Sequence, residues 1–315
     1  LKTFYYHIKY LNEDEKQIVI YIVRKQLPLD SPRILSLPAK RRALVLALAS
    51  EYIELLINKD IIDRKVSTQL TRQILTERIN YSIPVTFDKI PIPSVSPDNG
   101  HKTHRISISG GHNKNDSFYS IRYRDAYHGL LDPLSGFERG AQVEFLNIEL
   151  RGYKDHDIRL EQLDIINITS LTPINNFFRP PSWKFSFGRE RKKLDSKQPI
   201  VNDIEGDIGM TLYVGDSMLS GMVHLSLDIG GSLDYGYGLG AGLYFNLVYQ
   251  SETYSYDLGA LSMKYLAGDS DSLTKLWGKV SFTLSKNNAI FTQMNYVPNN
   301  KSDSYEINFG IHHYF

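Results

Sequence analysis

Hydrophobic and polar positions along the chain follow two periods, and the change between them divides it. From residue 12 to about residue 80 the apolar residues recur at helical spacing. Asn12 and Glu15 form a capping-box pattern, and Ile18, Val19 and Val23 follow on one stripe. Ser36 and Pro38 mark a second helix start, followed by Leu44, Leu46, Leu48, Tyr52, Leu55 and Leu56. "STQLTRQILTERI" supplies a third amphipathic segment. Acidic residues interrupt the polar faces, so these stripes read as a small bundle buried against itself rather than as membrane-surface helices. Residues 83–102 carry four prolines and no helical period, and read as an extended linker.

From His104 the period becomes two. Twelve strands are predicted near 104–110, 117–123, 141–151, 157–167, 182–190, 204–214, 218–229, 235–249, 253–265, 274–285, 288–297 and 303–315. Many approach the ~9–11 residues of a tilted bilayer crossing. The connections "GDS" (215–217), "QSE" (250–252) and "KNN" (286–288) are short and alternate with longer polar ones at 191–203 and 267–273, as in outer-membrane barrels. "DYGYGLGAGLYFNLVYQ" places Tyr235, Tyr237, Leu239, Ala241, Leu243 and Phe245 on one face, with Gly236, Gly238, Gly240 and Gly242 on the other. A sandwich core needs bulk on its inner face. In a barrel the bulky face meets lipid and the glycines leave room inside. The predicted architecture is an all-β transmembrane barrel of about twelve antiparallel strands over residues 103–315, preceded by a helical periplasmic domain over 1–82 and the Pro-rich linker.

Composition narrows the function. The 315 residues include no cysteine, which excludes disulfides, thiolate metal sites and a cysteine nucleophile. With 36 basic and 35 acidic residues the net charge is +1, which gives no general attraction to nucleic acid. No stretch reaches the ~18 apolar residues of a spanning helix. The chain begins at Leu1 without a secretory pattern, so an exported protein is expected to have lost upstream residues.

"PDNGHKTHR", "IRYRDAYHGLLDPLSGFERGAQVEFLNIELRGY" and "LEQLDIINITSLTPINNFFRPPSWKFSFGRER" resemble the C-terminal half of a large bacterial envelope family long described only as a domain of unknown function. The resemblance covers most of the chain. It implies a signal peptide, a periplasmic Cys/His catalytic domain, a helical segment and a barrel, with some relatives implicated in N-acylation of lipoproteins. Without a cysteine, no catalytic residue carries over, and the catalytic domain is expected before Leu1.

Several residues are candidates for function. Arg122, Glu149, Arg151, Arg159 and Glu161 stand on polar strand faces, either as a paired-charge filling of the lumen or as a lining for a polar solute. His101 and His104 in "HKTH" suggest a metal pair but lack a carboxylate at ligand spacing, and no metal or cofactor is expected. His224, Ser226 and Asp228 share a strand face and superficially offer a hydrolytic triad, although alternate strand residues stand ~7 Å apart with parallel side chains. The connections at 124–140 and 168–181 are long where the parity of the strands calls for short turns, and rich in apolar residues. They are predicted to fold on the rim as a seat for the helical domain, with Asp125, His128 and Asp132 tying the first loop and Phe177 and Phe178 acting as anchors. The expected function is an outer-membrane anchor and docking platform for an upstream or partner periplasmic domain. A barrel-borne lipid hydrolase or deacylase and a pore for a small polar solute are the alternatives. Expected partners are outer-membrane lipid, the barrel-assembly machinery and that periplasmic domain.

The last strand, "SYEINFGIHHYF", alternates to the final residue, and Phe309, Ile311 and Phe315 resemble the terminal insertion signal of outer-membrane proteins. His313 occupies a slot that is usually apolar in that signal. Deleting Phe315, or replacing it with Asp, should slow assembly. Normal amounts of heat-modifiable folded barrel in both variants would contradict the end-signal reading.

Overall fold

A computed structural model describes residues 2–80, 83–91, 95–114, 116–154, 156–194, 198–269, 272–298 and 303–315. The chain divides into two compact units, Leu1–Ile92 and Pro93–Phe315.

The first unit contains α1 (Lys2–His7), α2 (Glu13–Lys25), the short α3 (Pro32–Leu35), α4 (Ala39–Asn58) and α5 (Arg64–Ile79). The α2 start is the expected capping box: Glu15 N–H donates to Asn12 Oδ1, and Asn12 N–H to Glu15 Oε2, both at 2.9 Å. The helix α4 begins at Ala39, with Pro38 at its N-cap; Ser36 instead closes α3. Ile18, Val19, Ile22 and Val23 of α2 are buried, as are Val45, Leu46, Leu48, Tyr52, Ile53 and Leu56 of α4. From α5 only Ser67 and Ile74 are buried, and Val66, Leu75 and Ile79 are exposed. The segment 83–91 has no regular structure, but Phe87 stacks on His7 at 3.8 Å and Asp88 accepts a hydrogen bond from Tyr10, so it belongs to this unit. No described helix is long and apolar enough to cross a membrane.

The second unit is a closed barrel of twelve antiparallel strands, each pairing with its neighbours in chain order: β1 (Arg105–Asn113), β2 (Ser117–His128), β3 (Ala141–Tyr153), β4 (His156–Ser170), β5 (Ser182–Arg191), β6 (Ile200–Val214), β7 (Ser217–Ile229), β8 (Tyr237–Gln250), β9 (Tyr254–Gly268), β10 (Ser272–Ser285), β11 (Asn288–Val297) and β12 (Ser304–Tyr314). The β1–β12 seam runs in register from Arg105 opposite Tyr314 to Asn113 opposite Glu306. Phe315 N–H adds a bond to His104 O at 3.0 Å. The last strand is therefore paired on both edges, with Tyr305, Ile307, Phe309 and Ile311 exposed on the outer face. His313 also faces outward, where its Nδ1 meets Asn288 Oδ1 at 2.9 Å.

Burial alternates along most strands in the sense opposite to a soluble protein. Polar positions are inside, while Ile108, Ile121, Phe187, Ile208, Leu225 and Phe245, among others, are exposed around the wall. A continuous belt of this kind requires lipid as its solvent. Aromatics flank it at both ends: Tyr127, Trp183, Tyr213 and Tyr254 at the end that holds both barrel termini (the proximal end), and Tyr119, Tyr237 and Tyr305 at the distal end. On β8 the glycine stripe performs the expected service. A Cβ at Gly238 would stand 2.7 Å from the Tyr265 ring, and one at Gly240 2.6 Å from Met263 Cε. Gly236 precedes the strand, in a turn with φ +76°.

In the helical unit, Glu15 is 2 % exposed and Arg41 Nε donates to its Oε1 at 2.6 Å. Burial pushes the Glu15 carboxyl up, but the Arg41 hydrogen bond and the Asn12 amide outweigh it and hold the carboxyl below its usual range. A depressed carboxylate contributes stability above its unfolded pKa of about 4.3, and the contribution is lost as pH falls through the lower folded value. Arg41→Met should cost about 1–3 kcal/mol near neutral pH, below the figure for a fully buried pair because Arg41 is partly exposed. The difference from the parent protein should shrink at about pH 3. Denaturation of the purified protein followed by helical circular dichroism tests this, and a cost independent of pH would contradict it.

Candidate functional site

The barrel interior is built in layers. At the proximal end Asp132, in the β2–β3 connection, is the centre of a bonded cluster. Its Oδ1 accepts from Arg105 Nη1 at 2.9 Å and from Tyr314 OH at 2.7 Å. Its Oδ2 accepts from Arg124 Nη1 at 2.5 Å and from Gly129 N–H at 2.7 Å. Arg124, fully buried, also donates to Glu144 at 2.8 Å. Burial would raise the Asp132 carboxyl, but the Arg124 and Arg105 guanidiniums hold it well below the usual carboxylate range. His128 stacks on Phe137 at 4.2 Å, and its Nδ1 lies 2.9 Å from His101 Nε2. Burial holds the His101 imidazole below its ordinary value against the opposing charge of Asp132.

The two long proximal connections close the mouth. Gln250 Nε2 donates to Leu130 O at 2.8 Å and its Oε1 accepts from Gly140 N–H at 2.7 Å. Leu171 N–H donates to Gly140 O at 2.8 Å, which joins the second connection to the first. Asn175 Oδ1 accepts from the amides of Phe177 and Phe178, and both rings are buried. Against these loops Leu130 and Leu171 pack with Met218, Met222, Tyr244, Val248 and Leu261 of β7, β8 and β9 in an apolar layer.

The distal end carries the charges singled out in the sequence. Arg151 makes a bidentate pair with Glu306 at 2.8 and 2.9 Å and reaches Glu149 at 2.6 Å. Arg122 bonds the other Glu149 oxygen. Glu161 lies 3.4 Å from Arg159 and 3.8 Å from Arg151 and Arg191. A register shift in the β3–β4 ladder beside Glu149 resets the alternation and brings Glu161 and Gln162, which are consecutive, to the inside. Lys192 folds inward from the β5–β6 connection to Asp228 at 2.7 Å and Glu205 at 3.0 Å. Its ammonium is held well above its ordinary pKa, because those carboxylates outweigh the cost of burial. Leu194, Val201, Leu233, Met263, Tyr265, Leu273 and Val297 form a second apolar layer there. Between the two layers lies a polar chamber of about 290 Å³.

One sequence expectation is corrected, and two constellations weighed in the sequence are placed. Asp125 does not tie the first loop: it accepts from Tyr123 OH at 3.0 Å and pairs with half-exposed His104 at 3.2 Å, because its position on β2 points away from the lumen. His101 and His104 do not share a site: His101 is buried against His128 and Phe137, while half-exposed His104 pairs with Asp125. His101, His128 and Asp132 do converge, but Asp132 has four donors already and two guanidiniums occupy the place of a cation. His224, Ser226 and Asp228 form no triad: His224 Nδ1 pairs with Asp207 at 2.9 Å across the strand, while Ser226 donates to Asp228 at 3.2 Å. Arg105, Arg124, Glu144 and Tyr314 were missed as a group, although each occupies an inward position. His101 was hidden because it precedes the first strand and has no alternation to place it.

No curated protein sequence matches the chain. Among solved structures it is similar to the KdgM porin in complex with disordered oligogalacturonate (12 % identity over 67 % of this chain and 99 % of that one, TM-score 0.38). It is also similar to the NanC porin (6 %, 67 % and 99 %, TM-score 0.41) and to the Acinetobacter baumannii outer membrane protein Omp33 (8 %, 68 % and 99 %, TM-score 0.35). Residues 94–314, which hold the barrel and its bonded proximal mouth, match the family described as Domain of unknown function (DUF7840), and the chain belongs to that family.

Proposed function

We propose that the chain is an outer-membrane anchor with a sealed barrel, whose proximal loops seat the helical unit and a periplasmic domain encoded upstream or supplied by a partner. The observation that supports this reading is the filling of the lumen at both ends. Two apolar clusters and a set of paired charges fill much of the barrel interior among the described residues, which suits a barrel that holds a position in the membrane better than one that conducts. Paired buried charges cost more to expose singly than they contribute as a pair, which suits a permanent filling. The folded proximal loops then have a use: they turn a barrel mouth into a rigid platform. By the parity of an even-stranded barrel, both barrel termini and the helical unit face the periplasm in this reading. The resemblance noted in the sequence makes lipoprotein processing the natural task for the upstream domain.

Two measurements test the proposal. In planar bilayers the purified barrel should give no steady open-channel current, and sustained conductance would favour the pore reading. Replacing Phe177 and Phe178 with Ser should leave heat-modifiable barrel folding intact but make the helical unit readily cleaved by protease in spheroplasts. Unchanged protease resistance and unchanged activity of the full-length protein would leave the loops as a lid only.

A further inference from the structure

We propose that the central chamber is a binding site for a small zwitterion of the amino-acid class, a role that goes beyond anchoring. Its lining is mixed in charge, with Arg105, Arg122 and Lys184 among the carboxylates, but two of its lysines stand apart. On β10, Lys275 and Lys279 point inward on either side of Trp277 and line the chamber. Neither lysine has a hydrogen bond or ion pair among the described residues, in a lumen where Arg122, Arg151, Lys184 and Lys192 all have carboxylate partners. The nearest acid in register, Asp257 opposite Lys279, is already committed to Trp277 Nε1 at 2.9 Å and Asn246 at 3.3 Å.

The facing wall carries the complementary groups. β4 stands six strands from β10 in either direction round the barrel, with β5 beside it and β6 next in order. These strands bring Asp164, Glu190 and Asp203 to the same chamber. Asp203 is 6 % exposed and its Oδ1 has no hydrogen-bond partner; nor has Asn167 Oδ1. On β7, His224 is 1 % exposed, with Nδ1 held by Asp207 and Nε2 unpartnered. Buried polar atoms are normally bonded, yet Asp203 Oδ1, Asn167 Oδ1 and His224 Nε2 are not, and they line the same chamber as the two unpaired lysines. A solute with a carboxylate for the two lysines and an ammonium for Asp203 would satisfy both walls at once, whereas an anion or a cation alone would satisfy one. The size agrees. About 290 Å³ holds roughly ten waters and falls just below the ~300–1,000 Å³ of drug-sized pockets. That excludes a lipid chain or an oligosaccharide. The distal apolar cluster rests partly on two loop residues, Leu194 and Leu233, and narrows that route of entry.

Trp277 reports on the site. The chain has two tryptophans, and the other, Trp183, faces outward. In a Trp183→Phe background, L-alanine should shift Trp277 emission saturably in the purified folded protein. Acetate and ethylammonium at equal concentration should not. Lys275→Met with Lys279→Met, and separately Asp203→Asn, should weaken the alanine response at least tenfold while the barrel remains heat-modifiable. The titration is repeated in Leu194→Ala with Leu233→Ala, which loosens the distal plug. Silence in both the closed and the loosened barrel overturns the proposal. So does an acetate response equal to that of alanine, which would mark a simple anion site, or an affinity unmoved by the substitutions.

Discussion

Everything in the second unit depends on the hydrogen-bonded seam between β1 and β12. In hydrocarbon an unpaired amide or carbonyl has no water to turn to, and each costs several kcal/mol. A row of them along two open edges would outweigh any side-chain preference. Pairing Arg105 through Asn113 with Tyr314 through Glu306 removes both edges. Once the sheet is closed, the outer face can be apolar and the inner face can be anything that pairs with itself.

What it holds is mostly charge, and the arrangement follows from the low dielectric of a closed lumen. Single buried ions are costly, so arginines are shared: Arg151 serves Glu149, Glu161 and Glu306, and Arg124 serves Asp132 and Glu144. These groups cross-brace β2, β3, β4 and β12 from within. Apolar clusters lie towards the two ends. The β10 lysines are the exception to the pairing, which is why they stand out.

The alternation of residues made the barrel legible before any coordinates. All twelve strands lie where period-two patterning put them, and the glycine stripe of β8 faces the bulky side chains of β9 as its pattern required. Arg122, Glu149 and Arg151 were legible for the same reason. What the alternation could not give was which inward groups meet across strands distant in sequence, such as Arg151 and Glu306, 155 residues apart. Nor could it foresee irregularities: the register shift beside Glu149, or Leu146 at φ +46° between inward Glu144 and Asn147. The prolines around His101 read as linker, yet His101 is 4 % exposed and packed on Phe137. Proline-rich sequence reports the lack of a helix or ladder; it does not report whether a segment is packed.

Asp132 has a further consequence for how the molecule assembles. Its four donors come from the first strand, the second strand, its own loop and the penultimate residue of the chain, Tyr314, 182 residues away. The loop that stoppers the proximal mouth cannot complete its bonds until the final strand has arrived. Stopper and seam thus share a bond, and the barrel's first residues are tied to its last. A chain interrupted before β12 would lack Tyr314 and the partner edge for β1 together. It would remain open along its side, and the loop at its mouth would hold Asp132 by three donors instead of four.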